Sequence, residues 1–449
     1  LVHISLAMKN ATIQLLITFP LGIFVWGSAL SETDPLCTIS PGLPMRADYD
    51  SDLIICGEDL PADIELDGLK KSGIQLVYKQ ALKECNWDDE RPGFHLVLNS
   101  PSPARGVPVT VADTRTGTKA CTLELDFMPA RTDQTPSWAN AMPEDSVKMI
   151  DVDGISTRYF EMGDGPPLVL VHGGQTGGFN NHARKWKQNF PGLAEHFRVI
   201  ALDRLGQGGT DNLKRTEDYS NYYTLDAIHL RGFIEALGLE DVTLVGHSQG
   251  GWPVTRVALD RPDLVHCLVN VGTVMVPDDG KLMLDALNFV MYVAGPVHPA
   301  GGPTFYSSRR ALLLRFPTGN NVTDELAQQV VNQHASPKIR EAMKGMASLP
   351  PYPGHPTLRL NPAHPIFTAL RDKAHDEITE GDLKALSLVI FGEKDPQVPV
   401  GLGRMFNEIL ESSGVQTQMV VVKDAGHSPH AEFPDDFNKI VTRYCGSRD

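Results

Sequence analysis

Hydrophobic and polar positions follow two different patterns along the chain, and the first extends over residues 37–128. Short apolar or alternating runs occur at residues 53–56, 74–78, 94–98 and 120–125, and turn-forming Pro, Ser and Asn residues separate them. Short alternating runs bounded by turn formers are typical of β-strands. This segment is therefore predicted to form a small β-rich domain, and nothing in it has catalytic spacing.

The pattern changes after residue 146, where apolar runs alternate with longer helical segments. A hairpin is predicted around Asp153 and Gly154, and further strands are predicted at residues 168–171, 199–203, 242–245, 264–271, 386–391 and 419–422. Strands that alternate with helices indicate a mainly parallel sheet with helices on both faces. The interval between the strands at 264–271 and 386–391 is too long for one crossover. It contains helix-like stretches at 324–334 and 337–346, so it is predicted to be an inserted helical cap.

These patterns divide the chain into predicted segments. They are an upstream extension with a signal peptide (1–31), the small β-rich domain (37–128), a linker (129–145), the first part of an α/β core (146–272), the helical cap (273–380) and the second part of the core (381–446). The linker is predicted because its residues are rich in Pro, Ser, Thr and Asn and lack periodicity.

The amino-terminal residues have the pattern of a secretory signal. The first methionine is Met8, so residues 1–7 are interpreted as an upstream extension. The next residues are one lysine, an apolar run over 13–26 and small residues up to Ala29. Signal peptides show these features in the same order. The alternative is a membrane anchor over residues 11–30. A proline and a glycine interrupt the apolar run, which favours the cleaved signal and a secreted or extracytoplasmic protein.

Four of the six cysteines lie in the small β-rich domain. Their spacing lacks the close Cys-x-x-Cys pairs of zinc sites, so two disulfides are predicted there, with all three pairings open. Cys267 lies within an apolar strand and is predicted to be a buried free thiol, and Cys445 is predicted to be unpaired. The disulfide candidates are Cys37, Cys56, Cys85 and Cys121.

The charge balance excludes several classes of partner. Forty Lys and Arg residues against 55 Asp and Glu residues give a net charge of −15. An acidic chain is a poor candidate for binding phosphate backbones or anionic lipid. The glycine-containing turn at 203–210 lacks the spacing of nucleotide-binding loops and is interpreted as structural. We expect a small-molecule substrate, no nucleic acid, no membrane after signal removal, and no metal or organic cofactor.

The strongest chemical motif is Gly-His-Ser-Gln-Gly-Gly at residues 246–251. It follows the apolar run 242–245 and precedes a helical segment. Gly-x-Ser-x-Gly between a strand and a helix is the nucleophile elbow, whose glycines let a strained turn lift the serine clear of the sheet. Ser248 is therefore predicted to be a nucleophile, and the alternative is a structural serine in a tight turn.

A serine needs a base and an acid to become nucleophilic, and both follow in the expected chain order. Asp395 comes just after the strand at 386–391, and His427 comes just after the strand at 419–422. Loops at the carboxyl ends of parallel strands are where open α/β sheets hold their sites. Asp278 and Asp279 are the rival acids.

A third motif supplies candidates for oxyanion stabilisation. The His-Gly-Gly-Gln sequence at 172–175 directly follows a predicted strand. Acyl chemistry develops a negative oxygen that needs donors aimed at it. The N–H groups of Gly174 and of Gln249, the residue after the nucleophile, are the predicted donors.

Together these motifs resemble the α/β-hydrolase superfamily over roughly residues 146–446, and the core most resembles the meta-cleavage-product hydrolases. Those enzymes split carbon–carbon bonds in vinylogous diketo acids. Residues 177–181, 322–326 and 432–434 carry the closer resemblance. By this resemblance Asn181 lies near the oxyanion hole, and Asn181 and Trp252 are candidate substrate-binding residues. The segment 37–128 resembles no family that we can name.

The sequence departs from that subfamily at two positions. An arginine that grips the substrate carboxylate is usual where this chain has Val330, and a tryptophan is usual where it has Ser428. An apolar side chain cannot pair with a carboxylate. Three other cap arginines are candidates to replace the missing one, although a solvated helix face is the preferred interpretation for them: Arg309, Arg310 and Arg315.

The sequence therefore predicts an α/β-hydrolase fold with a helical cap, preceded by a small disulfide-containing β-rich domain. The predicted function is an exported serine hydrolase that acts on a small or medium carboxylic ester or lactone. One alternative is a carbon–carbon bond hydrolase of a vinylogous diketo acid. The other is a non-catalytic binding protein on a hydrolase fold.

Overall fold

The computed structural model describes most of the chain from residue 38 onward. The described residues are 38–40, 45–46, 50–57, 59–82, 92–102, 104–128, 142–174, 176, 178, 181–273, 275, 303–319, 322–349 and 365–446. The predicted signal peptide, Cys37, Cys85, Asp278, Asp279 and most of the predicted linker lie outside the described residues. Among those described, no helix is both long and apolar enough to cross a membrane.

The N-terminal part is a β-sandwich of two four-stranded sheets, with strand orders β1-β3-β6-β5 and β2-β8-β7-β4. Its strands are β1 Thr38–Ser40, β2 Met45–Arg46, β3 Asp50–Cys56, β4 Ile64–Asp67, β5 Gln75–Leu82, β6 Gly93–Asn99, β7 Ala104–Asp113 and β8 Lys119–Met128. Leu96 and Leu98 of one sheet and Val109 and Val111 of the other belong to one buried cluster. The two sheets therefore share a core, as alternating strands allow.

The C-terminal part is built on an eight-stranded sheet with the order β16-β15-β14-β13-β11-β12-β10-β9. Strands β9 and β10 form an antiparallel hairpin, β10 also pairs antiparallel with β12, and the remaining pairs are parallel. The strands are β9 Val147–Val152, β10 Ile155–Met162, β11 Pro167–Val171, β12 Arg198–Leu202, β13 Val242–His247, β14 Val265–Val271, β15 Leu386–Gly392 and β16 Thr417–Val422.

Helices cover both faces of this sheet, because its central strands are apolar on both sides. The helices are α1 Phe190–Ala194, α2 Tyr222–Ala236, α3 Gly251–Asp260, α4 Phe305–Arg315, α5 Asp324–Ala335, α6 Pro337–Ala347, α7 Pro365–Thr379, α8 Val400–Ser412, α9 Pro429–Glu432 and α10 Pro434–Cys445. One buried cluster joins α2, α3, α7 and α8 to the sheet. A second cluster joins α1 and α10 to the opposite face. The predicted fold class is confirmed.

The cap includes α4, α5 and α6, which lie between β14 and β15 in the chain. Thr304 and Ser307 form a reciprocal capping box at the start of α4, and Thr323 caps α5 by accepting from Leu326 N–H. Such caps satisfy N–H groups that have no partner within the helix. Cα atoms of α4 lie within 8 Å of Cα atoms of β3, so the cap also touches the N-terminal sandwich.

The cysteine predictions are partly wrong. Cys56 and Cys121 are each disulfide-bonded, in agreement with disulfides in the sandwich. The predictions of a free thiol at Cys267 and an unpaired Cys445 are wrong, because these two residues form a disulfide with a Cα–Cα distance of 5.7 Å. Helix α10 packs across the sheet and brings its last residue against β14, a contact that spans 178 residues of sequence.

Residues near the end of the predicted linker pack against the C-terminal core. Met142 is buried within the cluster that contains α1 and α10. Its carbonyl oxygen accepts a hydrogen bond of 2.8 Å from Arg184 Nη1. The chain is therefore already fixed to the core at residue 142, five residues before β9 begins at Val147.

Candidate active site

The turn after β13 has the geometry of a nucleophile elbow. Ser248 has a φ of +52°, which is a strained conformation for a residue with a side chain. A Cβ added at Gly246 would lie 2.5 Å from the carbonyl oxygen of Gly250, and one added at Gly250 would lie 2.5 Å from that of Val171. Only glycine fits at these two positions, so the local sequence allows the strained turn.

The fold brings Ser248, His427 and Asp395 into one hydrogen-bonded chain. Ser248 Oγ lies 3.0 Å from His427 Nε2, and His427 Nδ1 lies 2.8 Å from Asp395 Oδ2. Since a carboxylate only accepts, Nδ1 carries the proton and Nε2 is free to accept the serine proton. The other carboxylate oxygen of Asp395 accepts from the backbone N–H groups of Gln397 and Val398 at 2.8 and 2.9 Å.

The loop that carries His427 is held by the cap and by a buried acid. His427 N–H donates to the carbonyl oxygen of Arg315, the last residue of α4, at 3.1 Å. Gly426 N–H donates to Glu432 Oε1 at 2.7 Å, while Thr318 donates to Oε2 through its N–H and its hydroxyl. Burial raises the pKa of Glu432. These bonds connect the end of α4 to the loop of the candidate base.

His247 links the elbow to the same loop. Its Nε2 lies 2.9 Å from the backbone carbonyl oxygen of His427, so Nε2 carries the proton and donates. The ring centroid lies 5.0 Å from that of His427 and 4.5 Å from that of His430. Burial, and then the neighbouring His430, hold the pKa of His247 well below its usual value, so the ring is neutral near pH 7.

The glycine loop after β11 lies directly against the elbow. A Cβ added at Gly173 would lie 2.7 Å from Ser248 Cβ, so this glycine allows the close approach. Gly174 has a φ of +87°, and the side-chain amide of Asn181 packs against its Cα. The carbonyl oxygen of Gly174 accepts from Arg204 Nη1 at 2.6 Å, which fixes the peptide orientation.

Two cations lie around this site. Lys185 Nζ donates to Asn181 Oδ1 at 3.1 Å. Burial, and then the like charges of Arg315 and Arg204, lower the pKa of Lys185 to about 7. Burial lowers the pKa of Arg315 to about 10. The Arg315 guanidinium donates to Gln397 Oε1 and to the carbonyl oxygen of Ala311.

The remaining predicted residues lie in varied surroundings. Trp252 is almost fully buried, and its Nε1 donates to the carbonyl oxygen of Tyr223, so its packing is that of a core residue and its predicted substrate contact stays a prediction. The interpretation of Arg309 and Arg310 as a solvated helix face is wrong, since both are buried at 7% and 6% exposure. Val330 is buried, and Ser428 Oγ lies 3.4 Å from His247 Nε2.

Sequence reasoning missed Gly173, Lys185, His247 and the carbonyl of Arg315. Gly173 belongs to the same motif as Gly174, and His247 is adjacent to the serine, so the motifs themselves contained a signal for both. Nothing in the sequence near Lys185 or Arg315 indicates their location, because each reaches the site only through the packing of the cap and of the loop after β11.

Comparison with known proteins gives one consistent family. A family model described as the alpha/beta hydrolase fold matches residues 166–434. The 2-hydroxy-6-oxo-2,4-heptadienoate hydrolase of Pseudomonas putida is 27% identical over 310 residues, which cover 67% of this chain and 97% of that protein. The 2-hydroxy-6-oxo-6-(2'-aminophenyl)hexa-2,4-dienoic acid hydrolase of Metapseudomonas resinovorans is 33% identical over 155 residues, or 34% of this chain and 51% of that relative.

A solved structure gives the same result. The meta-cleavage product hydrolase of Pseudomonas fluorescens IP01, solved as a variant complexed with acetates, has a TM-score of 0.52 and 26% identity. The match covers 66% of this chain and 96% of that chain. The resemblance to the meta-cleavage-product hydrolases is thereby confirmed.

Proposed function

The chain belongs to the alpha/beta hydrolase family, and we propose that it is a serine hydrolase with Ser248 as nucleophile, His427 as general base and acid, and Asp395 as the acid that orients His427. One observation carries this proposal. Each group has the hydrogen-bond partner that its role requires. Ser248 Oγ lies 3.0 Å from His427 Nε2, and His427 Nδ1 lies 2.8 Å from Asp395 Oδ2.

In the proposed mechanism His427 Nε2 takes the hydroxyl proton as Ser248 Oγ attacks the substrate carbonyl. Asp395 stabilises the resulting imidazolium, and the N–H groups of Gln249 and Gly174 bind the oxyanion. The intermediate collapses when His427 returns the proton to the leaving oxygen, so an alcohol departs and an acyl-serine remains. Water then attacks by the same route, releasing the acid and restoring Ser248.

We propose a carboxylic ester or lactone as the first substrate candidate. It is supported by Val330 and Ser428, the two positions at which this chain departs from the carbon–carbon hydrolases. The second candidate is cleavage of a carbon–carbon bond in a dienoate, and the relatives are named as hydrolases of dienoates. It is supported by the relative from Pseudomonas putida, which aligns over 97% of its length.

A comparison of two substrates separates these candidates. The purified full chain is assayed with p-nitrophenyl esters and with a ring-fission dienoate, each also with Ser248→Ala. We expect hydrolysis of the esters that Ser248→Ala lowers by about 10⁴-fold or more, as loss of a triad nucleophile does. Activity on the dienoate alone would support carbon–carbon cleavage instead.

A covalent probe tests the non-catalytic alternative. A fluorophosphonate reacts with a serine whose hydroxyl proton is taken by a neighbouring base. It does not react with a serine that lacks such a base. We expect an adduct on Ser248 in the folded wild-type chain and none in His427→Ala. Absence of an adduct from folded wild-type protein would favour a binding protein on a hydrolase fold.

Export is the proposed location of the protein. It is supported by the disulfide between Cys267 and Cys445 and by the disulfide-bonded Cys56 and Cys121, because disulfides persist in oxidising compartments. Mass spectrometry of protein expressed with its native amino terminus tests it. We expect a mature chain that starts near residues 31–35 and holds no free thiol in its cysteines. An unprocessed, reduced chain in the cytosol would contradict export.

A further inference from the structure

We propose that Lys185 forms an anion-binding subsite beside the scissile carbonyl, so that the preferred substrate is an ester or lactone that carries a carboxylate a short distance from the bond to be cleaved. This inference rests on the proposed function and names its substrate class. Lys185 would determine specificity, and the bond-making steps would still belong to Ser248 and His427.

Lys185 is tied to the glycine loop on one side of the site. Its Nζ lies 3.1 Å from Asn181 Oδ1, and the Asn181 amide packs on the Cα of Gly174. Gly173, the preceding residue, touches Ser248. A chain of contacts therefore runs from the ammonium group through one amide and one loop to the nucleophile.

Lys185 is also close to the opposite side of the site. Burial is the largest cause of the low pKa of His430 and of His247, and the charge of Lys185 lowers both pKa values further. The His247 ring packs against both His430 and His427. The charge of Arg315 in turn lowers the pKa of Lys185. The backbone carbonyl of Arg315 accepts from His427 N–H, so Lys185 interacts electrostatically with a residue that is bonded to the loop of the candidate base.

The ionic partners of these two cations distinguish them from Arg204. Throughout the part of the chain that the structure describes, neither Lys185 nor Arg315 has a carboxylate within ion-pair distance. Arg204, the other nearby cation, is different, because Asp226 forms a buried ion pair with it. The carboxylates around the site are hydrogen-bonded to other groups. Asp395 bonds His427, and Glu432 accepts from Thr318 and Gly426.

Lys185 and Arg315 are half-buried, and a half-buried cation without a counter-ion gains stability when an anion binds beside it. An ammonium group has three donors, and Asn181 Oδ1 uses one of those of Lys185. Two donors therefore remain for a ligand oxygen. Charge-assisted hydrogen bonds to carboxylates are stronger than neutral ones, so a substrate carboxylate is the group that gains most from this arrangement.

Two matched esters test the subsite. We would measure kcat and KM for 4-nitrophenyl hydrogen adipate, which carries a free carboxylate, and for 4-nitrophenyl methyl adipate, which does not. Each is assayed with wild type, Lys185→Met, Lys185→Arg and Lys187→Met. Lys187 is a matched control because it is a lysine of the same segment, two residues further along.

We expect wild type to prefer the acid ester by about tenfold or more in kcat/KM. Lys185→Met should lower kcat/KM for the acid ester by about 10- to 100-fold, mainly through KM, and change the methyl ester by about twofold or less. Lys185→Arg should keep most of the preference, and Lys187→Met all of it. Equal losses on both esters in Lys185→Met, or no preference in wild type, would overturn the inference.

Measuring how an inactive variant binds the two esters distinguishes failure of this inference from failure of the proposed function. In Ser248→Ala, calorimetry should detect tighter binding of the acid ester than of the methyl ester, and adding Lys185→Met should abolish the difference. If wild type hydrolyses neither ester while this difference persists, the proposed function fails and the subsite stands. If wild type hydrolyses both esters and Ser248→Ala binds them equally, the subsite fails and the proposed function stands.

Discussion

At the scale of single residues, the protonation of Lys185 gives the proposed subsite a pH dependence. Burial and two like charges lower the pKa of Lys185 to about 7, so the ammonium is charged below that pH and neutral above it. Preference for the acid ester should therefore fall as pH rises through about 7. Its cationic neighbours Arg315 and Arg204 stay charged there, and its neighbours His172, His182, His247 and His430 stay neutral.

The measurement is the ratio of kcat/KM for the acid ester to that for the methyl ester, from pH 6 to pH 8. Any pH effect on the chemical step that both substrates share cancels in the ratio. Lys185→Arg provides the control, because an arginine remains protonated throughout. A ratio that stays constant in wild type over this range would contradict the prediction.

His247 carries a second residue-scale prediction. Its Nε2 proton bonds the carbonyl oxygen of His427 at 2.9 Å and so helps to fix the proposed base against Ser248. Removing this donor in His247→Leu should lower kcat by about 10-fold or more with little change in KM, because misplacing a catalytic group slows the chemical step. His247→Gln, which can present a donor at a similar position, should recover part of the loss.

Thermal unfolding and the rate of fluorophosphonate labelling check this prediction. A role confined to the core would lower stability and leave the labelling rate of the folded fraction unchanged. A positioning role lowers the labelling rate of fully folded protein. The second outcome is expected.

The site residues differ in how far the sequence could predict them. Ser248, Asp395 and His427 come from motifs at the ends of apolar strands, and parallel strands bring their carboxyl ends to one edge. Lys185 and Arg315 approach each other closely enough to interact electrostatically only when the loop after β11 and the cap are both folded. No local pattern encodes that contact, so sequence reasoning could not find it.

At the scale of elements, the disulfide between Cys267 and Cys445 ties α10 to the middle of the sheet. It closes a long loop of chain, and such cross-links typically contribute about 2–5 kcal/mol to the free energy of unfolding. Cys445→Ser should lose about that amount in urea denaturation of oxidised protein. In excess reductant, wild type and variant should have the same free energy of unfolding. A difference that persists in reductant would indicate that the variant has lost packing contacts.

The elements also differ in how visible they are in the sequence. The central strands β11, β13 and β14 of the eight-stranded sheet are buried on both faces and stand out as apolar runs, so the prediction found them. Strand β7 was missed because Gly106 and Pro108 interrupt its pattern. Helix α4 was missed because buried polar residues, among them Arg309 and Arg310, obscure its apolar face.

At the scale of the whole molecule, the sandwich and the hydrolase have separate hydrophobic cores. Chains with separate cores commonly unfold in more than one transition, so calorimetry should resolve two. Loss of fluorophosphonate labelling should coincide with one of them, and Cys445→Ser should move that transition to lower temperature. A single transition that carries all the heat would show that the contact between α4 and β3 couples the two parts.

The disulfide between Cys267 and Cys445 also holds together a chain that a protease has cut within the cap. Cys267 precedes the cap and Cys445 follows it, so any cut within the cap leaves both fragments covalently joined. Ser248 stays on one fragment, while Asp395 and His427 stay on the other. A nicked molecule would then migrate as one band on a non-reducing gel and as two after reduction, and its proposed nucleophile and base would not diffuse apart.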